Sequence, residues 1–193
     1  MFPKTPAITL YDPLGDLLGA GDGHFTYTFE DAVKLAGHAC PTVAGAFLLV
    51  KTALEQLFPG EVAVRGDVRV TIHGAVDRDV NGPISQIITL LTGAAAQNGF
   101  HGLAGQFVRS HLLHFRETLP PGPFTFERIS NRHTVQLLYS AAAFPPSPLI
   151  GEYMPLILTG RASDVQRTAF RDAWRQRVLD ILADQGLHTV RQL

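Results

Sequence analysis

Gly37-His38-Ala39-Cys40-Pro41-Thr42-Val43-Ala44-Gly45 sets the only cysteine of the chain two residues after a histidine and directly before a helix start. Proline suits the first position of a helix, where no amide hydrogen is needed, and it disfavours helical geometry at the residue before it. Cys40 is therefore the expected N-cap. The helix it opens runs from Pro41 to about Phe58, because Val43, Ala46, Phe47, Val50, Leu54 and Leu57 recur at three and four residues until Pro59-Gly60. A thiol at that end meets unpaired amides and the positive end of the helix dipole, surroundings that suit a sulfur ligand or nucleophile.

Working outward, Phe29 to Ala36 reads as a short helix leading into this turn. Downstream, Val68, Val70 and Ile72 alternate with Arg69, Thr71 and His73, the period of a half-buried strand within Arg65 to His73, with His73 on its polar face. Asp77 to Gly82 is a polar turn. Pro83 opens a second helix with Ile84, Ile87, Ile88 and Leu91 on one stripe, and the glycines from Gly93 to Gly99 end it. Gln106 to Phe115 fits helix or strand. Phe124 to Ile129 and Thr134 to Tyr139 form a hairpin across Ser130-Asn131-Arg132-His133, and Pro145-Pro146-Ser147-Pro148 is a stiff connector. Ser163 with Gln166 matches a capping box, which starts an amphipathic helix that Gly186 stops. Separate helices with hairpin strands favour an α+β fold, a mixed sheet packed with several helices. The expected organisation is a proline- and glycine-rich irregular arm over 1–28, an α+β domain over 29–160, and a C-terminal helix over 161–193 that belongs to the same domain.

At 193 residues the chain suits one domain. Sixteen basic against 17 acidic residues leave a net charge of −1, which removes the basic face that nucleic acid needs. One cysteine forms no internal disulfide and no export signal is evident, so the expected compartment is the cytoplasm. Apolar runs fall well short of the ~20 residues that span a bilayer, so no membrane partner is expected. Hydrophobic residues at 46% and charged residues at 17% are more apolar material than one small core readily hides, which predicts a homodimer.

The GHACP stretch followed by a small-residue helix, with Thr92-Gly93 and then Gly99-Phe100, resembles the FmdE family of formylmethanofuran dehydrogenase components over roughly residues 29 to 115. That resemblance implies an FmdE-like α+β domain in which His38 and Cys40 face a metal-containing pocket, as in members that carry the domain alone. Ala36 stands where the family often has a further histidine, Asn81 to Ser85 lacks a second family cysteine, and the cysteine-rich zinc-finger tail is absent. A single thiol does not hold an iron–sulfur cluster in the usual way.

Sulfur with imidazole suits zinc best, with copper, iron or nickel as other transition metals. His73 is the expected third ligand, followed by Asp77, Asp79 and His101 in the loops around the second helix. His111 and His114, three apart, are a weaker pair. The reading is a metal-binding protein that acts on or senses a small molecule. Two alternatives stand beside it: a metal-free thiol enzyme with Cys40 as nucleophile and His38 as its base, and a non-catalytic binding or assembly module.

Overall fold

The computed structural model describes residues 2, 5–117 and 122–193. In chain order the elements are β1 (Ala7–Tyr11), α1 (Pro13–Leu17), β2 (His24–Thr28), α2 (Phe29–Ala36), α3 (Pro41–Leu57), β3 (Ala63–Val64) and β4 (Val68–His73). There follow α4 (Asn81–Thr92), β5 (Leu113–Arg116), β6 (Phe124–Arg128), β7 (Thr134–Tyr139), α5 (Pro148–Leu158), α6 (Asp164–Ala183) and β8 (Val190–Gln192). A five-stranded sheet has the order β5-β4-β6-β7-β8, and a three-stranded sheet the order β2-β1-β3. Both are mixed. Strands β4 and β5 run parallel, as do β1 and β3, and every other pair is antiparallel. The fold is α+β.

Helix α3 is the axis of the core. Every residue from Val43 to Val50 is buried, so two full turns are enclosed on all sides, the mark of a helix surrounded by other elements. Helices α2, α4 and α6 pack around it, with β7 and β8 against it from the larger sheet. Val68, Val70 and Ile72 point inward to this core while Arg69, Thr71 and His73 are half-exposed on the other face, in the alternation that the sequence predicts. The hairpin of β6 and β7 and the Ser163–Gln166 capping box are also as expected. Between Gln106 and Phe115, strand wins over helix: β5 adds to the edge beside β4. No described helix is long and apolar enough to cross a membrane.

Two expectations are corrected and one element is new. The 1–28 segment is not an irregular arm: Ile8 and Leu10 alternate into the core from β1, which pairs with β2 over its whole length. Asp12 caps α1 by accepting from the amides of Leu14 and Gly15, and the glycine cluster is the turn before β2. Met1, Pro3 and Lys4 of that segment lie outside the described residues. The stretch after the proline connector is a further helix, α5, started by Pro148 with Ser147 as its cap. Helix α6 ends at Ala183 rather than running to Gln185, and the chain then returns as β8 along β7.

The two sheets are tied by a polar cluster around Asp12, at the end of β1. The Asp12 carboxylate accepts from Arg109 Nη2 at 2.7 Å and from Arg65 Nη1 at 3.0 Å. Arg65 also donates to the carbonyls of Leu90 and Leu91 at the end of α4, and Arg109 to the Arg65 carbonyl. Burial by itself would raise the Asp12 carboxyl. The Arg65 hydrogen bond, the Arg109 charge and the two capping amides outweigh it and hold Asp12 below the ordinary carboxylate range. A carboxylate depressed in the folded state contributes stability that is complete above the unfolded value of about 4 and is lost as pH falls through the folded value. Breaking a buried pair by removing one partner costs about 3–5 kcal/mol. Urea unfolding of Asp12→Asn is therefore expected to show a loss of that order and a flatter acid limb; a variant within about 1 kcal/mol of the parent with the acid limb unchanged contradicts this account.

Candidate functional site

Cys40 is the N-cap of α3, in extended geometry, and its Sγ accepts from the Val43 amide at 3.5 Å. The carbonyls on either side of it are held from distant parts of the chain. Trp174 Nε1 on α6 donates to the Ala39 carbonyl at 2.8 Å, and the Tyr139 hydroxyl on β7 donates to the Pro41 carbonyl at 2.6 Å. The Tyr139 ring lies so close over α3 that a Cβ at Gly45 would overlap it. That is why the last residue of the quoted stretch has no side chain: Gly45 admits the ring that fixes Pro41. Burial pushes the Tyr139 phenol up to about 12, against an opposing pull from Arg177 and with a further rise from neighbouring Cys40.

Helix α2 ends at Gly37, which takes the left-handed conformation with φ of 74°. An ordinary side chain is strained there. The reversal turns the His38 ring back on the chain, so that Nδ1 lies 2.9 Å from the Ala36 carbonyl. A carbonyl only accepts, so Nδ1 is the donor of this bond and Nε2 is the nitrogen that it leaves uncommitted. His38 and Cys40 line one cavity of about 340 Å³, closed on the far side by Val80, Pro83 and Gln86 around the start of α4. Cys40 is half-buried and His38 is exposed at its mouth. Among the described residues no hydrogen bond joins the imidazole to the sulfur, the contact that the thiol-enzyme alternative requires.

The remaining candidates do not gather at this cavity. His73 lies on the outer face of the large sheet, where Nε2 is 3.0 Å from Thr125 Oγ1 in a separate polar hollow with Arg69, Arg116 and Glu127. Strand alternation is the reason: with Ile72 directed to the core, its neighbour faces the other way. Asp77, Asp79 and His101 sit exposed in the loops flanking α4. His111 and His114 share no helical face, since His111 has a positive φ of 57° and His114 is in β5. Among the described residues no group of three or more His, Cys, Asp or Glu side chains is placed to hold a metal ion.

Sequence reasoning did not single out Tyr139 and Trp174 as the residues that set the Cys40 backbone. Trp174 falls within the amphipathic helix that the capping box starts and Tyr139 at a strand end, while their polar ends act over separations of 135 and 98 residues. The fold and site thus define an α+β domain with a cysteine–histidine cavity at a buried helix start. No family model matches the chain, and no curated protein matches it.

A phenol raised in the folded state favours folding fully below its unfolded value of about 10 and loses that contribution as pH climbs towards 12. Tyr139→Phe is expected to lower stability by about 1 kcal/mol, the value of one hydrogen bond, and to soften the alkaline loss. Chemical unfolding at neutral pH and at rising alkaline pH checks both; identical curves for the two proteins contradict the role given to the hydroxyl.

Proposed function

We propose that the Cys40–His38 cavity binds one transition-metal ion, zinc by preference, and with it acts on or senses a small molecule. The observation that carries this reading is the His38 ring. Its Nδ1–H is committed to the Ala36 carbonyl, the arrangement that orients a ligating imidazole and leaves Nε2 for a metal, and it shares the cavity with the sulfur of Cys40. Sulfur and imidazole nitrogen are zinc donors by chemistry. They supply two of four tetrahedral positions, and the other two fall to water or to the small molecule itself. The resemblance of GHACP to the FmdE family supports the same pair of residues, and placing the chain beside that family is part of this proposal.

The chain is expected to retain about one zinc per molecule when purified without an immobilised-metal column, with the metal lost in Cys40→Ser and in His38→Ala. Elemental analysis measures this directly. Iodoacetamide labelling of Cys40 should rise after chelation, because coordination occupies the sulfur lone pair. Protein that holds no metal, gains none on zinc titration and labels equally with and without chelator contradicts the proposal.

A homodimer is proposed beside it. Helix α5 has one buried residue, Ile150, although most of its side chains are apolar, and it packs on α6. Leu158 and Val165, at the end of α5 and the start of α6, are each 79% exposed. A two-fold pairing of this hairpin with its copy would cover both. Light scattering during size exclusion should give twice 21.0 kDa. A mass of one chain that does not change with concentration contradicts the pairing.

A further inference from the structure

A second cavity, of about 620 Å³, lies between α2, α4 and β5. Its size is within the range of small-molecule sites, about 300–1,000 Å³. Leu35 and Gln86 line it and the Cys40 cavity alike, so the two adjoin. Leu35, Val76, Leu90, Ala95 and Phe115 make most of its wall apolar, and Arg65 is the charged side chain on it.

That arginine belongs to a cluster whose charges do not cancel. Among the described residues, Asp12 is the one carboxylate paired with both Arg65 and Arg109, so two guanidiniums share one negative charge. The Arg109 side chain is 9% exposed and that of Arg65, which lines the cavity, is 23% exposed, so of the two arginines Arg65 is the more open to solvent. Arg65 spends three N–H groups on Asp12, Leu90 and Leu91. A guanidinium has five. The head is held rigid by these bonds and keeps donors for one more acceptor, which is the prepared state of an anion site.

We propose that this cavity binds a monocarboxylate with an apolar tail, its carboxylate on Arg65 and its tail along the wall towards the Cys40 cavity. A chain without charge would leave the cluster unbalanced, and a cation would be repelled. A polyanion has one guanidinium to meet among apolar side chains. The proposal does not depend on a metal at Cys40, so it is tested on chelator-treated protein as well as on protein as purified.

Titration calorimetry with octanoate and with 1-octanol compares the same tail with and without the charge. Saturable one-to-one binding of octanoate is expected, with octanol weaker by about tenfold or more, the worth of a charge-assisted hydrogen bond. Arg65→Gln is the direct variant, but it also strips Asp12 of a partner. Ala96→Phe places a ring on the cavity wall and leaves the Asp12, Leu90 and Leu91 partners of Arg65 in place, and it should weaken octanoate by about tenfold or more at an unchanged thermal midpoint. Absence of saturable octanoate binding overturns the proposal. So does equal affinity for octanol, a comparison that needs no variant, or a folded Ala96→Phe protein that binds octanoate as the parent does.

Discussion

The carbonyls of Ala39 and Pro41 are each held by a side chain from the far end of the sequence, and the position of Cys40 depends on that pair of bonds. Helix α3 would start somewhere near Pro41 in any compact fold of this chain, because its apolar residues must be buried on every side. Nothing local, however, would keep the capping residue at one place relative to α2 and α4. Trp174 and Tyr139 do this by joining the capping turn to α6 and to the large sheet. The neutral phenol, kept protonated by burial, is a donor over the whole physiological range. Gly45 is the price of this arrangement at the level of sequence, since any side chain there would push the tyrosine away.

The second fixed point is Asp12. It caps a five-residue helix, gathers two arginines and thereby fastens the small sheet to the end of α4 and to the segment before β5. The buried ion cluster gives little net stability by itself, because the desolvation of three charges offsets much of their attraction. Its consequence is geometric. Arg65 is stretched between Asp12 and the carbonyls of Leu90 and Leu91 near the end of α4, so a firmly held arginine lines the 620 Å³ cavity among mostly apolar side chains.

How much of this the sequence shows follows from the range of each interaction. The N-cap at Cys40, the helix behind it, the strand ending at His73 and the β6–β7 hairpin were legible because proline chemistry and side-chain period are local signals. The β1–β2 pair was not, since its two five-residue strands lie among prolines and glycines that read as loop, and their evidence is mutual pairing. Helix α5 was hidden by an apolar composition without period and by Pro155 inside it. At the site, His38 and Cys40 were legible as neighbours in sequence. The separation of His73 from them is set by which face of the sheet it occupies relative to α3, which strand alternation alone does not relate to a distant turn. Arg65, Arg109 and Asp12 meet across separations of 53 and 97 residues and left no motif.

The central claim is that the sulfur of Cys40 and Nε2 of His38 are donors to one ion. Zinc-edge X-ray absorption of the chain loaded with one equivalent of zinc reads the donor atoms directly. The account predicts one sulfur at about 2.3 Å and a nitrogen or oxygen shell near 2.0–2.1 Å that includes an imidazole signature, the distances of zinc thiolate and zinc imidazole bonds. A shell of nitrogen and oxygen without sulfur would place the ion elsewhere and contradict it.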